Sequence, residues 1–422
     1  MTLSHGTVDR FDVIVVGAGP GGCSSAIHLS RMGLRVLLLD KERYPRDKVC
    51  GDGVSGKSVS VLRELGLIEA VESLPNIKIL GIELTSPKGT CVDITLRERG
   101  DIPEYGYCVR REVFDNMVFQ YAKKHSARTI EGFTVKALIK EPAGSRDKVV
   151  GVTGSTVDGE EGEFRSSVVV GADGFNSIVS KELGGRELDP AHLFVSVRGY
   201  FRGVKDLKSR IELHFLEETI PGYFWIFPVE KDLANVGIAM IVEDARKRNV
   251  NPRNQLLDVL KNNSAIASRF RESVMIDGTL KTGVIPCGSR RALSYGDGWL
   301  LVGDAASLAD PFTGEGIGNA LYSGKLVAET ILEAHNRNDY SSYQLSSYEE
   351  ALRDAFDSQL QNSYLMQSRA RNGRFLNLAV RKAAGSRMLR ELMADWLNNP
   401  VERKSYVSKF SYLRIILTPP YW

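Results

Sequence analysis

No apolar run in these 422 residues approaches the roughly 20 needed to cross a bilayer as a helix, and the opening MTLSHGTVDR has no apolar core of the kind a secretory signal carries. The chain is expected to be cytoplasmic, with peripheral attachment the one membrane contact left open. Cysteine is scarce, and Cys23, Cys50, Cys91, Cys108 and Cys287 show no CxxC pairing. That excludes a disulfide framework and a zinc site, predicts no metal, and fits a reducing compartment. An excess of one charge is also missing: the formal net charge is +3 and the basic residues are scattered, which leaves no footprint for nucleic acid. What is present is an ordinary globular composition, 43% hydrophobic, in a chain long enough for about two or three structural units.

The segment FDVIVVGAGPGGCSSAIHLSRMGLRVLLLDKE, residues 11–42, reads as an apolar strand, a glycine-rich turn, a helix and a second strand closing on Asp40. Gly17, Gly19 and Gly22 hold the GxGxxG spacing. The first allows a tight turn, the second lets backbone approach a pyrophosphate, and the third admits close helix packing. The helix start offers unpaired N–H groups to phosphate, and Asp40 stands where a carboxylate accepts hydrogen bonds from adenosine ribose hydroxyls. At this point the dinucleotide is FAD or NAD.

Two later strand ends bear on that choice. SVVVGADGFNSIVSK closes a β-branched strand with Asp173 and Gly174. GDGWLLVGDAASLADPFTGEGIGNALYSGKLVAE closes another at Asp304, placed to hold a ribityl hydroxyl; Pro311, Gly314, Gly316 and Ile317 then lead into a long helix. Gly–Asp after a strand is also ordinary turn chemistry, so the weight lies in three such ends occurring in order.

Residues 221–230, PGYFWIFPVE, place Tyr223, Trp225 and Phe227 at every second position, so an extended strand turns all three rings to one face. Taken alone, such a strand belongs to a sheet's own core. Residues 194–202, 209–216, 222–228 and 234–242 read as consecutive strands, which predicts a meander-like sheet. Beyond residue 340 apolar and charged residues alternate at helical spacing.

The Gly17–Gly22 turn, GADG at 171–174, and GDAA at 303–306 followed by PFTGEGIG resemble the FAD-dependent group that includes para-hydroxybenzoate hydroxylase, across the first 340 residues. Within that group VRREVFD, 109–115, is similar to the segment opening a helix beside the flavin, with Arg111 matching its arginine and Arg110 adjacent. Cys50 and Gly53 in KVCGDGVS, and YFWIFP at 223–228 followed by Gly237, resemble the CxxG and YxWxFP signatures of the geranylgeranyl reductase branch. That branch continues with GxG, whereas this chain reads Gly237, Ile238, Ala239.

The resemblance implies an α/β (α+β overall) architecture. A Rossmann-like FAD-binding domain would be assembled from discontinuous segments, 1–75, 100–190 and 278–340. An antiparallel-sheet substrate domain would take 76–99 and 191–277, and a C-terminal helical region 341–422 would cover the substrate tunnel. The resemblance implies FAD as cofactor, with Lys41, Cys50 and Gly51 joining the residues above on its side. Tyr223, Trp225, Phe227, Pro228 and Gly237 are then expected at an isoprenoid substrate. Such a tail has no hydrogen-bond handle, so affinity must come from buried apolar area at about 25 cal/mol per Å². The implied reaction saturates an isolated C=C bond, with hydride from reduced FAD and a proton from a side chain. Cys50 is the candidate donor, with Tyr223 orienting it or shaping the wall.

The competing expectation is a flavin-dependent monooxygenase or halogenase of the same fold. Halogenases of the group carry WxWxIP where this chain has Tyr223 and Phe227, and a lysine after the first strand pair, where Lys48 sits in RDKVCG. A flavin-binding sensor without turnover is the third reading. No second GxGxxG follows a strand after residue 60, so the external electron donor is NAD(P)H docking transiently, or ferredoxin or another donor protein. KERYPRDK and RKRNVNPR are candidate docking surfaces for an acidic partner or merely solvated loops, and the end FSYLRIILTPPYW is a membrane contact or a core-packed tail.

Overall fold

A computed structural model of the chain describes residues 10–98, 102–144, 146–183, 188–291 and 293–398. The first apolar run forms the strand Arg10–Val16, whose Val13, Ile14 and Val15 are completely buried. A strand covered on both faces sits inside a parallel sheet, and this one lies between Val36–Asp40 and Glu161–Gly171, parallel to both. Trp299–Leu301 extends the parallel set on one side and Arg128–Glu131 on the other. An antiparallel hairpin, Phe133–Ala143 and Arg146–Thr156, continues from Glu161–Gly171. Three strand ends far apart in sequence, at Gly17, Gly171 and Gly303, thereby reach the same edge.

A second sheet carries the aromatic strand. Its order is Val274–Met275, Leu193–Arg202, Leu233–Ile241, Tyr223–Glu230, Arg210–His214, Gly81–Thr85, Cys91–Thr95, with Lys281–Pro286 also paired to Leu193–Arg202. This corrects the expected meander. Residues 210–241 do run as three antiparallel neighbours, but Leu193–Arg202 pairs with Leu233–Ile241 rather than with the strand that follows it. The long pairing of Leu193–Arg202 with Leu233–Ile241 buries nearly every residue of both, an arrangement that local turn signals do not encode.

The two faces of the aromatic strand enter different cores, as a period of two requires. Phe224 and Ile226 pack with Val236, Ile238, Leu256 and Val259, under the helix Pro252–Asn262. Tyr223 and Trp225 pack on the other face with Leu213, Phe215 and Phe312, and Phe227 lies against that cluster. After residue 340 the described chain is mostly helical, ending in Ser358–Ala370, Gly373–Gly385 and Arg387–Asn398. The last two pack on Cys91–Thr95. FSYLRIILTPPYW lies outside the described residues.

Candidate active site

A cavity of about 390 Å³ lies where the parallel sheet's strand ends meet the aromatic face of the second sheet. On the first side, Gly17 adopts φ +99°, and a Cβ there would stand 2.4 Å from the carbonyl oxygen of Ala172. A Cβ at Gly22 would stand 1.8 Å from the Gly17 oxygen. These two glycines thus press the turn onto its own helix and onto the GADG strand end, and Gly19, Pro20 and Gly21 are left facing the cavity. Pro20 opens the helix Pro20–Arg31, where its missing N–H costs nothing.

Asp40 is buried at the end of the second strand. It accepts the Ala18 N–H at 2.6 Å with one oxygen and the Glu42 N–H at 2.8 Å with the other. Burial raises its pKa, against those two hydrogen bonds. It braces the glycine turn and does not line the cavity, nor do Gly17, Gly22, the exposed Lys41, Asp173 or Pro311. One Asp173 oxygen accepts the Ile178 N–H at 2.6 Å, capping a short helix, while the other is buried without a hydrogen-bond partner; Gly174 beside it lines the cavity. Asp304 lines it too, and its carboxylate takes the Lys48 ammonium at 3.1 Å.

Gly314, Gly316 and Ile317 open onto the cavity at the start of the helix Ile317–Arg337. Between them stands Glu315, a residue the motif reading passed over. It accepts the Gly318 N–H at 2.6 Å, so the helix start carries a carboxylate of its own. Burial raises its pKa and the buried Lys57 draws it back. A turn stripped of side chains at a helix start, a second opening at Gly314–Ile317, and a cavity running between them fit FAD.

On the other side, Tyr223, Trp225 and Phe227 line the same cavity, with Ile82, Leu96, Phe194, Ile211 and Leu213 extending the apolar surface. Leu397 of the last described helix completes one end. Tyr223 donates its hydroxyl to the Thr313 carbonyl at 2.5 Å, tying the wall to the Gly314 loop, and burial pushes its pKa up. Gly237 lies behind the wall: a Cβ there would meet the Trp225 ring at 2.4 Å, so the absent side chain is what lets the indole lie flat. Pro228 is buried and does not line the cavity, whereas Ala239, which replaces the second glycine of GxG, does.

Cys50 and Gly51 face these rings from the first side; a Cβ on Gly51 would come within 2.9 Å of Phe227. The positive charge of Arg111 acts on the Cys50 thiol, as do the carboxylate and the backbone N–H of Asp52. Burial pushes the thiol pKa up; Arg111 pulls it back, the Asp52 carboxylate adds to the rise, and the Asp52 N–H opposes it. Arg111 is itself fixed by two hydrogen bonds to Asp115, at 2.6 and 2.7 Å, and Arg46 holds the same carboxylate at 2.6 Å. Burial works to raise the Asp115 pKa, but Arg111 and Arg46 hold it below the usual range. Arg110 instead points to Glu230, 3.6 Å away. Of the two adjacent arginines it is Arg111 that lines the cavity.

The basic segments are partly committed. Arg46 and Lys48 in KERYPRDK are paired with Asp115 and Asp304, and Arg248 in RKRNVNPR donates to the Glu218 and Ile220 carbonyls. No helix among the described residues is long and apolar enough to cross a membrane.

Comparison with known proteins agrees with this geometry. Residues 10–363 match the FAD binding domain family. A digeranylgeranylglycerophospholipid reductase of Methanocella arvoryzae is 32% identical over 362 residues, 84% of this chain and 86% of that protein. A menaquinone reductase of Mycobacterium tuberculosis is 31% identical over 332 residues, 76% of this chain and 77% of the relative. Among solved structures, a geranylgeranyl bacteriochlorophyll reductase-like protein of Thermoplasma acidophilum superimposes with TM-score 0.82 at 24% identity, covering 97% of this chain and all of that one. A flavin-dependent brominase gives 0.79 at 22%, covering 97% and 98%. Those two likenesses establish the shared fold; the matches at 30% identity and above reach further, and the chain belongs to the geranylgeranyl reductase family of FAD-dependent oxidoreductases.

Proposed function

We propose that this protein saturates isolated C=C bonds in a geranylgeranyl or other polyprenyl group carried by a lipid, a prenyl diphosphate, a pigment or a quinone. The observation that carries this reading is one cavity lined on one side by the glycine turn and the Gly314–Ile317 opening, and on the other by Tyr223, Trp225 and Phe227. FAD, when bound and reduced, supplies a hydride from N5. Gly19, Pro20, Gly21, Gly174, Asp304, Gly314, Gly316 and Ile317 would hold it, with Gly17, Gly22 and Asp40 shaping the turn from behind.

The chain's own residues then have three tasks. The aromatic wall and the aliphatic residues beside it bind the tail by area and keep water from the reacting carbons. Cys50 gives its proton to the alkene carbon that does not receive hydride, and solvent later restores it. Arg111, helped by the Asp52 N–H, stabilises the negative charge left on sulfur against the Asp52 carboxylate, and Asp115 keeps Arg111 in place. Tyr223, whose hydroxyl is engaged by Thr313, shapes the wall rather than donating.

Electrons come from outside the chain, from NAD(P)H or from a ferredoxin-type protein; stopped-flow mixing with each donor under anaerobic conditions separates them by rate. Met388 and Leu392, exposed on the helix that brings Leu397 to the cavity, support a peripheral contact with the membrane that would hold a long prenyl lipid. The deciding experiment reduces the FAD photochemically without oxygen and then adds geranylgeranyl substrate. Rapid return of the yellow spectrum with formation of the dihydro product is expected. Reoxidation by oxygen alone, coupled to hydroxylation or halogenation of an added aromatic, would establish the alternative that the brominase-like fold permits.

A further inference from the structure

Asp52 follows Cys50 by two residues and accepts three hydrogen bonds behind the site. It is completely buried, with φ +67°, a conformation that costs a non-glycine residue energy and is kept only where surrounding contacts enforce it. One carboxylate oxygen accepts the Arg111 N–H at 3.2 Å. The other accepts the Tyr200 hydroxyl at 2.6 Å and the Asn235 amide at 2.7 Å. Asp52 therefore joins the start of the helix Arg111–His125 to two strands of the aromatic sheet.

The direction of these bonds can be read without ambiguity. An indole N–H only donates, so the Trp225 Nε1–H bond to Asn235, 2.9 Å, identifies the Asn235 oxygen. The Asn235 nitrogen then donates to the Cys50 carbonyl and to Asp52, each at 2.7 Å. The Trp225 and Asn235 donors point the same way, from the wall towards the Cys50 turn, and the chain ends on Asp52 as a pure acceptor. From outside, Arg198 lies over the Tyr200 ring at 4.6 Å and pairs with Asp47, which holds the Tyr200 side of the assembly.

We propose that Asp52 is a positioning residue that, through Asn235, fixes the gap between the Cys50 thiol and the Trp225 ring, and so the width of the slot in which the reacting double bond lies. This rests on the reductase reading for its purpose but not for its geometry. An Asn at position 52 has the same shape yet turns one N–H₂ towards either Arg111 N–H or the Asn235 and Tyr200 donors. Relief by rotating the Asn235 amide would break the Trp225 bond. Exchanging the two residues, Asp52→Asn with Asn235→Asp, restores an acceptor for Trp225 and an amide–carboxylate pair, leaving the Cys50 carbonyl without its donor and the Tyr200 hydroxyl without its acceptor.

The test uses FAD-loaded protein and two readouts. The first is exchange of the Trp225 indole proton by nitrogen-15 NMR, assigned with Trp225→Phe and measured without substrate. The second is kcat against KM for a geranylgeranyl substrate. Asp52→Asn and Asn235→Asp are each expected to speed indole exchange and to lower kcat by about 10- to 100-fold, with KM much less affected. The exchanged pair should recover about tenfold or more of that kcat. An indole signal unchanged in Asp52→Asn, or a double variant losing the product of the two single losses, overturns the proposal. Should Asp52→Asn not fold, Tyr200→Phe removes one donor and keeps the ring; it must shift the same indole signal, and no shift overturns the proposal equally. Altered indole exchange in a protein that reduces no prenyl group would instead defeat the reductase reading and leave the positioning role standing.

Discussion

The two sides of the cavity are built from opposite materials. The cofactor side is made by removing side chains: Gly17 and Gly22 leave no room for a methyl group, and Gly19, Gly314 and Gly316 present bare backbone. The substrate side is made by adding them, with three rings in a row on Tyr223–Glu230 and branched aliphatics around them. A ligand of fixed charge and shape can be met by backbone N–H groups at fixed positions, and any intruding atom breaks the fit. A flexible hydrocarbon offers only area, which many side chains supply by degrees. The first side should thus fail abruptly when changed and the second gradually.

Gly22→Val should show the abrupt kind most clearly. Its Cβ alone would lie 1.8 Å from the Gly17 oxygen, so the variant is expected to purify colourless, with a lower melting temperature. A yellow protein with native absorbance ratio would mean that the turn does not bear on the cofactor.

Cys50→Ala comes next, because it removes a proton rather than a fit. With flavin occupancy retained, prenyl-driven reoxidation should slow by about 10²- to 10⁴-fold while substrate affinity hardly changes. Unaltered reoxidation would reduce Cys50 to packing.

The gradual kind is expected of Trp225→Ala. In a closed core, losing such a ring costs about 3–5 kcal/mol; Trp225 has one face on the cavity, so a smaller loss and a folded, yellow protein are expected. KM should rise for geranylgeranyl substrates and stay nearly level for geranyl ones. A steep drop in melting temperature with unchanged chain-length preference would assign the strand to the sheet's own core alone.

The smallest effect concerns the seam between the two sides. Burial raises the Asp52 pKa from 3.8 to about 6, despite the hydrogen bonds from Tyr200 and Asn235 and the charge of Arg198. Cys50, Cys108 and Arg111 are the other titratable groups around it. A carboxyl whose pKa rises on folding binds its proton more tightly in the native state. Its contribution is therefore complete below pH 3.8 and is lost as pH climbs through about 6. Relative to Asp52→Asn, the wild-type protein should lose at most about 3 kcal/mol across that window, read from paired urea titrations. A flat difference between the two proteins would show that Asp52 is already ionised throughout.

The contrast also explains what could be read from the amino acids. GxGxxG, GADG, GDAA and YFWIFP are local patterns whose spacing alone fixes which atoms share a face, and Gly19, Gly174, Asp304, Gly314, Tyr223, Trp225 and Phe227 do converge on one cavity. Asp40 was legible as a strand-end acid, but its hydrogen bonds to Ala18 and Glu42, which make it a brace, were not. Asn235 and Tyr200 escaped notice because their bonds to Asp52 span 183 and 148 residues, and nothing near either residue signals a partner so remote. Sheet order failed for a similar reason: the pairing of Leu193–Arg202 with Leu233–Ile241 is decided by burial of the whole face. Glu315 could have been found, since an acid three residues ahead of a helical N–H is a capping signal.

The glycine turn at the beginning of the chain is closed by a helix made much later: a Cβ on Gly324 would lie 2.6 Å from the Gly21 oxygen, and Gly17 rests on Ala172. During synthesis the turn therefore waits for residues beyond 320, on the order of tens of seconds at ribosomal speed. Until Glu161–Gly171 emerges the β-branched first strand has a free edge, which makes the early nascent chain a natural client for holding chaperones. The Gly314–Ile317 part of the flavin site is made only with the late helix, so the full binding energy stabilises a nearly finished protein and does little to guide the early steps. Scarce flavin would then reduce yield through loss of completed chains rather than through stalled or truncated ones.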